Sequence, residues 1–111
     1  MLKAYDFNKF LKEEKLIEMA TIGSLNDLTI QVYTDHLPKH FHVVKKDKFE
    51  VRLSIKDLSI ISYKWQKGSS EITAKEIDKL RAWLDKPNNS DKTLTNKSAI
   101  VFAWKIMNKG N

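Results

Sequence analysis

Hydrophobic and polar residues change rhythm along this chain, and each change marks a different kind of element. From Tyr5 to about Met19, Phe7, Phe10, Leu11 and Ile17 recur at three- and four-residue spacings, with Lys9, Lys12, Glu13 and Lys15 largely between them. That is the pattern of an amphipathic helix, with Asp6 placed as its N-cap. Met19 to Ile22 reads as a short strand leading into a polar turn at Asn26-Asp27. Leu28, Ile30 and Val32 then alternate with Thr29, Gln31 and Tyr33, the period of two of a half-buried strand over Leu28 to Thr34. His40 to Lys45, Phe49 to Ile55 and Ser59 to Trp65 follow as strands, with turns at Asp47-Lys48 and Asp57. Connections this short imply an antiparallel meander.

After a loop from Gln66 to Ser70 the period lengthens again. Thr73-Ala74-Lys75-Glu76 is a capping box, flanked by Ile72 and Ile77 in staple positions, so a helix starts at Ala74 and runs through Leu80, Trp83 and Leu84 before Pro87 stops it. Lys86 to Lys92 is polar and is expected to be the most mobile loop. From Thr95 to Met107 the apolar residues are nearly continuous, and either a buried strand or a helix would fit; length and the Thr95-Asn96 cap favour the helix. Ile100, Val101, Phe102 and Trp104 would cover a wide arc of it, which suggests a homodimer or partner contact through this element. The expected fold is α+β: a small antiparallel meander of three to five strands with an N-terminal helix and two C-terminal helices packed on it. Residues 1–111 form a single domain, divided into the N-terminal helix at 1–19, the sheet at 20–65 and the helical part at 72–108.

Composition narrows the functional classes. With 111 residues, 41% hydrophobic and 31% charged, the chain has room for one core and no separate catalytic domain. No apolar run approaches the roughly 20 residues that cross a bilayer, and no secretory stretch precedes Asp6, Glu13 and Glu14, so a cytoplasmic protein without membrane contact is expected. The absence of cysteine agrees and excludes thiolate chemistry. The net charge of +6 is compatible with nucleic acid or another phosphate-bearing partner. However, Arg52 and Arg81 are the only arginines, and lysines spread along a whole chain more often make a solvated surface than a binding face.

One segment is chemically suggestive. All three histidines fall in Asp35-His36-Leu37-Pro38-Lys39-His40-Phe41-His42-Val43, between two expected strands. Alternation puts His40 and His42 on one side of the sheet and Phe41 and Val43 on the other; if the latter pair enters the core, the histidines face outward together. His36, at the end of the preceding strand, can swing toward the same spot. His36, His40 and His42, with or without Asp35, could therefore coordinate a divalent metal such as zinc, and an open fourth position would carry activated water. Alternatively, His40 and His42 act as acid and base, or the imidazoles with Lys39, Lys45 and Arg52 bind phosphate without chemistry. A purely structural role in the turn stays open beside these.

The same nine residues resemble the D-H-x-P-P-H-F-H-V motif of the prokaryotic domain-of-unknown-function family 4160, with Lys39 standing where the family usually has a second proline. The following strands, the Trp83-bearing helix and the final helix from Thr95-Asn96 to Trp104 are similar too, over roughly residues 20 to 108. The resemblance implies a small antiparallel sheet with helices on one side, an association with bacterial toxin-antitoxin-type genes, and no established activity. The site it implies is Asp35, His36, Pro38, His40 and His42. The leading expectation is thus a binding or regulatory module, not an enzyme, contacting a phosphate-bearing or protein partner through residues 35–43. Its rival is a metal-dependent hydrolase or nuclease using His36, His40 and His42.

Overall fold

A computed structural model describes residues 19–108. Five strands, β1 (Met19–Leu25), β2 (Leu28–Tyr33), β3 (His40–Lys45), β4 (Phe49–Ser54) and β5 (Ile60–Gln66), precede two helices, α1 (Ala74–Leu84) and α2 (Asn96–Met107). The strands pair in sequence order, each antiparallel to the next, so the sheet is the expected meander. The expected N-terminal helix lies outside the described residues, except that Met19, placed at its end, opens β1 instead.

Turn chemistry explains the register. Asn26 and Asp47 take positive φ values of 55° and 63° in the two tight turns, a conformation short polar side chains tolerate. Leu58 does the same at 62° between β4 and β5, which no turn rule anticipates; its side chain is 5% exposed, so core burial offsets the backbone cost.

One face of the sheet carries Leu28, Ile30, Val32, Phe41, Val43, Phe49, Val51 and Leu53, all buried against Leu80, Trp83, Leu84, Ile100, Trp104 and Met107 of the helices. α1 begins with the expected capping box: Glu76 N–H donates to Thr73 Oγ1 at 3.0 Å and Thr73 N–H to Glu76 Oε1 at 2.9 Å. Residues 96–107 are helical, as the length of the segment favoured, and Ile100 and Trp104 enter the core while Phe102 stays exposed. The loop at 86–92, expected to be mobile, is instead pinned by Asn88. That residue is buried, donates to Ile22 O and Asn96 Oδ1, and accepts from the N–H groups of Ser90 and Asp91.

Candidate metal centre

The opposite face of the sheet is polar, and β3 fills its middle with two histidines. Phe41 and Val43 enter the core as expected, so alternation turns His40 and His42 to the other side. They do not face solvent, however: His40 is 4% and His42 1% exposed. The cover comes from side chains that local periodicity does not reveal. The Tyr33 ring lies 4.1 Å from that of His42, and the Trp104 ring 5.4 Å from that of His40.

Each imidazole is oriented by an acceptor on Nδ1. His40 Nδ1 lies 2.7 Å from Pro38 O, and a carbonyl can only accept, so His40 carries a proton there. His42 Nδ1 lies 2.8 Å from Glu50 Oε2. Glu50 is itself buried, accepts from Trp65 Nε1 at 3.3 Å and has Lys64 Nζ at 3.8 Å, which hold it as an accepting carboxylate. Both Nε2 atoms consequently turn toward one oxygen: Asp35 Oδ2 lies 3.0 Å from His40 Nε2 and 3.6 Å from His42 Nε2. His42 Nε2 has no hydrogen-bond partner.

The turn that delivers Asp35 is tied down where it leaves β2. Asp35 N–H donates to Asn108 Oδ1 at 2.8 Å, and Asn108 Nδ2 donates to Tyr33 O at 3.1 Å. The next residue, His36, is exposed and offers its backbone N–H to Asp35 Oδ1 at 2.8 Å. The group that converges is therefore Asp35, His40 and His42, whose ligand atoms all lie within 4.8 Å of one another. Asp35 stands in the place expected for His36.

The remaining expected residues separate. Arg52, opposite His42 in the β3–β4 register, reaches the centre, with Nε 3.9 Å from Asp35 Oδ2 and Nη1 donating to Ser62 Oγ at 3.1 Å. Lys39 is exposed in the turn. Lys45 is at the far end of β3, where Nζ meets Glu76 Oε2 at 3.0 Å. Glu50, Tyr33, Lys64, Trp65 and Asn108 were not anticipated. Glu50 was legible in principle, because the tight turn at 46–48 pairs Val44 with Glu50 and so places it diagonally across from His42.

Burial sets the electrostatics. It pushes the His42 pKa below the usual histidine value, outweighing the pull of Glu50 in the other direction. Burial would raise the Asp35 pKa, but hydrogen bonds from the His36 N–H and His40, together with the charges of His40 and Arg52, hold it below the usual carboxylate value. Tyr33 is raised, first by burial and then by the Glu50 charge. A neutral, Nδ1-protonated His42 thus aims a lone pair at an ionised carboxylate. A metal cation between them would satisfy both groups.

The donor set suits a metal. Two imidazole nitrogens and one carboxylate oxygen are a common ligand set, and tetrahedral zinc with bonds of about 2.0–2.1 Å separates its ligands by roughly 3.3 Å. The two distances from Asp35 Oδ2, 3.0 and 3.6 Å, bracket that separation, and the three ligand atoms together lie within 4.8 Å of one another. Glu50 and the Pro38 carbonyl are the outer partners that ligating histidines usually have.

Fold and site together define a small α+β protein, a five-stranded meander with helices on one face and, on the other, a His-His-carboxylate group whose two histidines are buried. The family model described as Domain of unknown function (DUF4160) matches residues 28–90, and the chain belongs to that family. The match spans Asp35, His40, His42, Glu50 and Arg52. No curated protein and no solved structure matches the chain.

Proposed function

We propose that this protein is a metal-dependent hydrolase whose divalent ion is held by Asp35, His40 and His42. One observation carries the reading: the Nε2 atoms of both buried histidines face a single carboxylate oxygen, and that of His42 has no other partner. A metal there would supply a water activated near neutral pH, as three-ligand sites with an open position do. The chain's own residues do the rest. Glu50 and the Pro38 carbonyl orient the two rings, Tyr33 and Trp104 keep water off them, and Asp35, a quarter exposed, leaves one side open to solvent.

The test is elemental analysis of tag-free protein after dialysis against zinc, with turnover of chromogenic carboxylic and phosphate esters followed before and after chelation. We expect one metal per chain, lost in His42→Ala and Asp35→Ala, and turnover that chelation abolishes and zinc restores. Protein that takes up no metal refutes the reading. Preferential loading of iron would move it toward oxidative chemistry, which the same ligand set also supports. Metal without turnover would support the other reading, a binding module that recognises a phosphate-bearing or protein partner; the partly exposed Arg52 beside Asp35 favours that one.

A further inference from the structure

We propose that the ligand of this centre is a nucleotide-bearing phosphate ester, its phosphate held by Arg52 and its base stacked on Trp65. The inference rests on the metal reading above and names the substrate class for that site. Gln31, His42, Arg52 and Ser62 form one row across β2, β3, β4 and β5, which puts a guanidinium directly beside the candidate ligands. Arg52 spends one N–H on Ser62 and meets Asp35 at 3.9 Å, and its side chain is 27% exposed. Among the described residues its other N–H groups have no hydrogen-bond partner, so the fork is free to take phosphate oxygens.

Trp65 supplies the second contact. Its indole N–H is fixed on Glu50, the same carboxylate that orients His42, yet the residue is 40% exposed. A large aromatic ring held in position beside a buried polar centre, with much of its surface in water, is a stacking platform. Trp65 on β5 pairs with Glu50, two residues before Arg52 on β4, so ring and guanidinium stand on neighbouring strands with a register shift between them, offset by roughly 7 Å along β4. A single nucleotide spans that distance.

Charge selects the same class. Asp35 and Glu50 are offset by Arg52 and Lys64, whose Nζ lies 3.8 Å from Glu50 and 4.7 Å from the centre of the Tyr33 ring. Adding a divalent ion leaves the mouth net positive, which draws a phosphate ester and leaves a neutral peptide without a counterpart for Arg52.

The experiment uses the full chain loaded with zinc and a fluorescein-labelled hexathymidylate, with binding read by anisotropy and zinc content measured on every variant. Expected are saturable binding that weakens steeply with salt, a loss of at least tenfold in Arg52→Gln with zinc content unchanged, and a loss on the order of tenfold in Trp65→Ala. Trp65→Phe keeps a ring and should retain most of the affinity, which separates stacking from misfolding. Quenching of tryptophan emission should accompany binding to unlabelled hexathymidylate, because Trp65 is exposed while Trp83 and Trp104 are buried. If zinc loads but the oligonucleotide does not bind, or binds equally well to Arg52→Gln and Trp65→Ala, the nucleotide assignment is overturned and the metal reading stands. If zinc does not load, the metal reading falls and the assignment falls with it.

Discussion

Glu50 reaches diagonally across the β3–β4 hairpin to place its Oε2 2.8 Å from Nδ1 of His42. That contact decides which nitrogen of His42 is left for a ligand, and it makes Glu50 a positioning residue for the candidate centre. Glu50→Gln should therefore retain the fold but lower zinc affinity by about 10- to 100-fold, the usual effect of removing such an outer partner. Competition with a chromogenic chelator measures it. His36→Ala, by contrast, should leave zinc affinity unchanged, since its exposed ring is not among the converging groups.

Glu76 gives the helical layer a pH dependence. Burial would raise its pKa, but the Thr73 N–H and Lys45 together hold it below the ordinary 4.5. A carboxylate depressed in the folded state adds stability above its unfolded pKa and loses it as pH falls through the folded value. Thermal melts between pH 7 and pH 3 should accordingly show wild type losing an advantage over Glu76→Gln, the loss beginning near 4.5 and continuing below it. An advantage that did not change with pH would show that the pair contributes nothing through ionisation. Thr73→Ala, which removes the other half of the capping box, should cost about 1 kcal/mol in denaturant unfolding.

Asn88 ties three parts of the chain together through Ile22 O, Asn96 Oδ1 and the N–H groups of Ser90 and Asp91. Asn88→Ala would leave buried polar groups without partners, and such groups cost about 1–3 kcal/mol each where water cannot replace the bond. A loss of at least about 2 kcal/mol in urea unfolding, with an unchanged slope, is the expected result.

Gly23 sits at a register shift in β1, where an added Cβ would lie 3.0 Å from Cζ2 of Trp83. Gly23→Val should thus overpack the contact between sheet and helix and destabilise by about 1–3 kcal/mol. A melting temperature equal to that of wild type would show that the Trp83 ring gives way freely.

How much of this was legible beforehand depended on the range of the interaction. The strands at Leu28, His40 and Phe49 follow from alternation and turn residues close in sequence, and α1 follows from Thr73 and Glu76 three residues apart. β1 runs past the expected Ile22 to Leu25, because the bulge before Gly23 interrupts the regular alternation of the strand. The site was legible as a segment and not as a geometry. Asp35, His40 and His42 lie in one stretch, but the cover of His40 comes from Trp104, and the orientation of His42 from Glu50. No local pattern reports a ring from another element or an ion pair formed across a hairpin. For the same reason His40 and His42 read as an exposed pair.

The amide of Asp35 is held by Asn108, a residue that follows it by 73 positions. Synthesis proceeds from the other end, so a growing chain has made both histidines, Glu50 and Arg52 long before it makes the group that anchors their carboxylate partner. The ligand turn is thus completed late, after the sheet and both helices have been made. A chain stalled or cleaved ahead of residue 108 would present the histidines without that anchor.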